Sequence, residues 1–202
     1  MTVPGRVAAA ALLMSLDPPP WFVAHARAVA EVAGWLARRI DDGGTTVDRA
    51  AVEAAALLHN VDKILPPDDP AQALRHGDGS ADWLTRQGHP ELARLVASHP
   101  VTRLADGETY RRWASFASRE ERIVAYADKR GGQHLESMEA RFASWARRYP
   151  DTWDATTWHA VRARAARLEA DVCRAAGVRP EQVRRLGWTG PALRAASLRT
   201  AA

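Results

Sequence analysis

The sequence has one cysteine, Cys173, in 202 residues. A single thiol cannot close an intrachain disulfide or build a thiolate metal site, so any metal centre must draw on histidine and carboxylate. Lysine is almost as scarce. Of 28 basic residues only Lys63 and Lys129 are lysines, and the arginines are spread along the whole chain beside an equally inflated alanine content. That distribution reads as compositional bias and solvated faces rather than a nucleic-acid stripe, although a formal net charge of +4 suits a phosphate-bearing partner. No run approaches the roughly 18 uncharged apolar residues of a membrane helix. The alanine-rich start meets Asp17 and Pro18 to Pro20 where a small-residue cleavage site would lie, so the chain reads as cytoplasmic. Period-two alternation, internal repeats and long linkers are also missing. With 47% hydrophobic and 26% charged residues, what remains is a globular chain.

Helix signals recur throughout. Val29, Val32, Ala33, Leu36 and Ile40 fall on one face of a helix from Trp21 to Ile40, and His25 lies one turn before Val29 on the same face. Asp48 caps a second helix expected from Arg49 to about Lys63, ended by Pro66, Pro67 and Pro70. A short helix is expected over Ala81 to Arg86, and Pro90 opens another that stops at His99 before Pro100. Ser118 with Glu121 forms a capping box ahead of Arg122 to Arg130, and Gly131-Gly132 ends that segment. Two more helices are expected, Gln133 to Arg148 and Asp154 to Ala176, followed by a turn from Pro180 and a polar tail. The expectation is an all-α, single-domain bundle, with a core over residues 20–132 and an extension over 133–202 packed on it.

The chemistry-bearing residues are spaced histidines and aspartates. His25 sits on an apolar helix face, His59 ends the apolar run Ala54 to Leu58, His76 lies in a glycine loop, His99 ends a helix, and Asp128 follows the apolar run Ile123 to Ala127. Each comes from a different element, so they can meet only in the folded chain. Imidazole with carboxylate suits Fe, Mn, Co, Ni or Zn, and helical bundles build such centres from facing helices.

This order resembles the HD-domain superfamily of metal-dependent phosphohydrolases, and within it the bacterial branch that includes the symmetrical diadenosine tetraphosphate hydrolases. The resemblance is carried by Ala56-Leu57-Leu58-His59-Asn60-Val61-Asp62-Lys63, His76-Gly77-Asp78-Gly79-Ser80, His99-Pro100-Val101-Thr102-Arg103 and Tyr126-Ala127-Asp128-Lys129, and spans about Phe22 to Arg130. It implies one or two divalent transition ions, with His25, His59 and Asp128 on one and His76 and His99 on a second. The residue after His59 would bridge them, and here that residue is Asn60. The implied reaction is hydrolysis of a phosphate ester or anhydride in a small phosphorylated substrate, a nucleotide or dinucleoside polyphosphate. A homodimer is left open.

Asn60 departs from the family pattern, because an amide carries no formal charge and its nitrogen cannot ligate as a carboxylate oxygen does. Three accounts stand: a natural, degenerate site serving as a nucleotide-binding or scaffold module, an introduced inactivating change, or compensation by a neighbour. Asp62 is that neighbour. Three residues after His59, it would lie on nearly the same helix face, either accepting the ring N–H of that ligand or standing as a solvated helix-end carboxylate. Asp62 and Lys63 are the catalytic candidates, and Lys63, Arg103 and Arg130 the candidates for gripping phosphate. His89 reads as a loop residue and an alternative to His76, while His134 and His159 lie outside the set. The tryptophans read as filling for the core and for its contact with the C-terminal helices.

Overall fold

The computed structural model describes residues 3–200, with the backbone alone for residues 199 and 200. Ten α-helices follow one another: α1 (Arg6–Met14), α2 (Pro20–Asp42), α3 (Arg49–Leu58), α4 (Asp78–Arg86), α5 (Pro90–Ala97), α6 (Gly107–Phe116), α7 (Arg119–Arg130), α8 (Met138–Arg148), α9 (Ala155–Ala175) and α10 (Thr189–Thr200). Single 3₁₀ turns occupy Val61–Lys63, Pro70–Ala73, Val101–Leu104 and Pro180–Gln182. No strand occurs among the described residues, only an isolated bridge between Gly131 and Leu135. The all-α bundle expected from the sequence is therefore the fold. None of the described helices is long and apolar enough to cross a membrane.

Long helix α2 is the spine. Pro20 sits at its first position, where the missing N–H leaves no bond unmade. Its inward stripe of Val29, Val32, Ala33, Leu36 and Ile40 is fully buried, and it packs on α3 and α7. One apolar cluster runs from Ala9 and Leu13 of α1 through α2, α3, α5 and α7 to Val172 of α9 and Ala196 of α10. Two buried carboxylates tie the ends of the chain to this core. Glu53 on α3 receives a two-pronged bond from Arg6 at 2.6 and 2.7 Å. Glu31 on α2 accepts from Arg185 at 2.8 Å and from the hydroxyl of Thr189. A buried charge is tolerated because it is paired, and Glu31 is paired twice, since Arg27 on the same helix also donates to it at 3.1 Å.

Several boundaries differ from the sequence reading. Segment Arg6–Met14 is a helix, and so is Gly107–Phe116, which buries no residue fully and meets the cores only through half-buried Tyr110 and Trp113. The supposed tail over residues 189–200 is α10, lying against α1. The helix expected from Gln133 starts at Met138, capped by Ser137. The helix expected to reach Lys63 stops at Leu58, with consequences for Asp62 given below. The capping box of Ser118 and Glu121 is present on α7.

Gly131 ends α7 with φ −93°, so a left-handed cap is not its reason for being glycine. Close approach is the reason: a Cβ there would stand 2.5 Å from Cγ2 of Val29 and 3.1 Å from its backbone nitrogen. The contact sets the carbonyl of Gly132 against α2, where it meets His25.

Candidate metal centre

Three helices end at one place. His59 is the C-cap of α3, His99 follows the C-cap of α5, and Asp128 lies in the last turn of α7. Helix C-termini carry partial negative charge and unpaired carbonyls, so their convergence prepares a site for cations. The same loose carbonyls orient the rings. Nδ1 of His59 donates to Ala56 O at 2.7 Å, and Nδ1 of His99 donates to Val96 O at 2.6 Å, each three residues back. His25 on α2 does likewise with Gly132 O at 3.0 Å. With Nδ1 committed, each neutral ring turns a bare Nε2 lone pair inward.

Nε2 of His25 and Nε2 of His59 stand 3.2 Å apart, and Oδ1 of Asp128 lies 3.6 Å from the first and 3.4 Å from the second. These three residues can hold one metal ion. Separations of this size are those taken by N and O atoms each about 2.0–2.2 Å from a common ion. Two imidazole nitrogens and a carboxylate oxygen turned toward one small space form a donor group suited to a cation. The donor set therefore fits a divalent transition ion.

His76 and His99 stand beside this triangle. Their rings pack edge to face at 4.9 Å, and that of His99 packs against His59 at 4.7 Å. Asn60 lies between the two groups. Its Nδ2 donates to Nε2 of His25 at 2.8 Å, while its Oδ1 faces Nε2 of His99 at 3.0 Å. One side of the amide is a donor and the other an acceptor, so it cannot offer oxygen to both groups at once.

Electrostatics follow from burial. Burial, with His59 adjacent, pushes His25 down to about 4 from 6.5, and burial likewise holds His99 well below its usual value. Burial would raise Asp128, but hydrogen bonding and charge from His59, with His99 and Lys129 nearby, hold it well below the usual carboxylate range. Lys129 is itself buried, which pulls it down to about 8, and its Nζ donates to His99 O at 2.8 Å and Ala125 O at 3.0 Å. It thus pins the His99 loop to α7, a role that the sequence reading did not assign.

A pH dependence follows for the metal-free protein. The unfolded chain protonates His25 near 6.5, whereas the folded chain resists until about 4, so between these values the unfolded state binds more protons. Stability is then greatest above about pH 7 and declines as pH falls toward 4, by on the order of 3 kcal/mol for His25 once the full shift is expressed. The urea midpoint of chelator-treated protein should be lower at about pH 5 than at about pH 7.5. Equal midpoints would contradict neutral, buried imidazoles.

Asp62 occupies a different position from the one expected. Because α3 ends at Leu58 and residues 61–63 form a 3₁₀ turn, Asp62 does not share a helix face with His59. Its Oδ2 accepts from Nδ1 of His76 and from the N–H of Gly77, both at 2.8 Å, so it orients His76 instead. Gly77 is required there: its φ is +88°, and a Cβ would meet Ala97 O at 2.8 Å.

Two phosphate-gripping candidates are committed elsewhere. Arg130 is buried and bonds Tyr126 Oη, Glu136 O and Pro180 O, where it fastens the extension to α7. Arg103 bonds Asp78 at 2.5 Å and lines a smaller pocket beside Ala97 and Thr109. Lys63 alone of the three lines the cavity at the metal centre.

That cavity, of about 400 Å³, has His25, Asn60, Lys63, His76 and Asp128 on one side. Most of the remaining lining comes from the extension, chiefly Arg141, Trp145, Tyr149, Trp153 and Trp158. The sequence reading assigned these aromatics to packing. Their concentration between residues 142 and 158 was the available signal.

The HD domain family matches residues 22–130, more than half of the chain. Comparison with curated proteins and with solved structures returns no match.

Proposed function

Since the chain belongs to the HD-domain family, we propose that it is a metal-dependent hydrolase of phosphate esters or anhydrides whose substrate is a nucleotide. The observation that carries this reading is the triangle of His25, His59 and Asp128, two of whose members line a cavity that also presents Lys63. A divalent transition ion bound there would polarise a phosphoryl oxygen and acidify water. The chain supplies the rest. Carbonyls of Ala56, Gly132 and Val96 fix the tautomers of three ligands, Asp62 holds His76 with Nε2 free, and Lys63 places a point charge at the cavity rim.

Dinucleoside polyphosphates are the narrower proposal, and they rest on the motif resemblance. The extension and the core are proposed to act as one domain, because both contribute to the cavity. A second reading is favoured by one observation: Asn60 stands where the family pattern has a bridging Asp, which suits a nucleotide-binding module without turnover. A hydrolysis screen decides between them. Purified protein supplied with Mn, Fe, Co or Mg, and given nucleoside mono- and diphosphates and dinucleoside polyphosphates, should release phosphate or nucleotide in a chelator-sensitive way. Binding without release under every metal would select the second reading.

A further inference from the structure

The cavity has two chemically different walls, and the function proposed above uses only one. The other is built by α8, the loop after it and the start of α9. Trp145, Tyr149, Trp153 and Trp158 line it, four of the fourteen aromatic residues of the chain. The three tryptophans rest on a small separate core of Leu104, Phe142, Val161 and Ala165. Trp145 meets Phe142 edge on at 5.1 Å, and Trp153 meets Trp158 edge on at 4.9 Å, so each ring is braced from behind or beside. Aromatic residues serving only as core filling would be covered. Here the three tryptophans are half-buried and Tyr149 is 52% exposed.

Arg141 stands at the edge of this wall, its guanidinium 4.7 Å from the ring centre of Trp145. Its neighbours among the arginines show what a satisfied guanidinium looks like in this protein: Arg103 holds Asp78, and Arg130 holds two carbonyls and a hydroxyl. No carboxylate or carbonyl partner is found for the side chain of Arg141 among the described residues, and its Nε is buried without a hydrogen bond. A guanidinium fork that is stacked, held and unspent faces the same space as Lys63 and the metal ligands. The geometry is that of a bidentate grip on an anion beside a stacking surface.

We infer that the C-terminal extension is the specificity element of the site, taking the nucleobase of a nucleoside phosphate against Trp145, Tyr149 and Trp153 while Arg141 and Lys63 hold its phosphate. This deepens the proposed function, because it assigns the organic part of the substrate to named residues outside the family match. A flat π-system is selected over a sugar because rings stack with area that a sugar alone cannot offer. An anion is selected because two cations without a carboxylate partner among the described residues, Lys63 and Arg141, line the cavity.

The test is binding, read from tryptophan fluorescence and calorimetry on chelator-treated protein, so that turnover plays no part. Adenosine 5′-monophosphate should quench the fluorescence and bind at least about tenfold more tightly than ribose 5-phosphate. Tyr149→Ala and Trp153→Leu should each weaken the nucleotide by about tenfold and leave ribose 5-phosphate unchanged. Arg141→Ala should weaken both. Tyr149 is exposed, so its variant tests the wall even if the tryptophan variant folds poorly. Equal affinity for the two probes, or variants that weaken both alike at the aromatic positions, would overturn the inference. The outcome for the proposed function is separate. Metal-dependent hydrolysis of ribose 5-phosphate as fast as of the nucleotide leaves the hydrolase and removes the aromatic subsite, while selective nucleotide binding without hydrolysis does the reverse.

Discussion

Asn60→Asp is expected to raise metal occupancy from at most about one ion per chain toward two, and to raise phosphate-releasing activity by on the order of 10² to 10³-fold. The reason lies in the two faces of residue 60. As an amide it donates to Nε2 of His25 and presents oxygen toward Nε2 of His99, so it can serve only one of two neighbouring ligand groups. A carboxylate offers an anionic oxygen to each side and adds a second negative charge to a cluster whose other carboxylate is Asp128. Charge stabilisation of several kcal/mol at a metal-assisted transition state corresponds to that range of rates. Elemental analysis and steady-state hydrolysis, before and after the substitution, check both parts. Asp62 is not placed to compensate already, because it orients His76 through Oδ2 and does not line the cavity where residue 60 stands. If Asn60→Asp changed neither metal content nor rate while Asp62→Ala removed an existing activity, compensation would have to be restored. If neither substitution had any effect and hydrolysis stayed at zero, the binding-module reading would replace the hydrolase.

The parts of this site that were legible in the sequence are those set by local rules. The apolar stripe of α2 carries His25 inward because residues three and four apart share a face, and Ser118 with Glu121 starts α7 at the place that puts Asp128 in its last turn. What was not legible depends on contacts between distant segments. Alanine-rich α3 has no periodicity sharp enough to show its end, and it stops where the ring of His59 takes the carbonyl of Ala56. Asp62 was misplaced on a helix for that reason. Position relative to Asp128 pointed Arg130 at phosphate, yet Pro180 lies 50 residues away and only the fold reveals that it accepts from that guanidinium. The aromatics at 142, 145, 149, 153 and 158 recur every three to five residues, a spacing shared by a core stripe and by a cavity wall. Burial distinguishes the two, and burial is a property of the partners.

Asp128→Asn is expected to abolish metal retention altogether. With an amide at position 60, Asp128 is the one anionic member of the donor group formed with His25 and His59. Its charge persists in a buried place because His59, His99 and Lys129 surround it, against the upward push of burial. Asparagine would keep the shape and remove the charge, leaving a divalent ion among neutral donors with the cations of Lys129 and Lys63 nearby. The wild-type chain should unfold at a higher temperature when Mn or Zn is supplied, because an ion that binds only the folded state stabilises it in proportion to the logarithm of its concentration over its dissociation constant. Asp128→Asn should show no such rise, and a metal affinity at least about 10²-fold lower. Its metal-free stability should also fall, because a carboxylate held well below its usual range stabilises the folded chain at neutral pH and asparagine removes that charge. In the Asn60→Asp background the same substitution should erase the gain in hydrolysis, as should His59→Ala. Retention of a full metal complement by Asp128→Asn would place the ion on His76 and His99 instead, and the ligand triangle of His25, His59 and Asp128 would have to be given up.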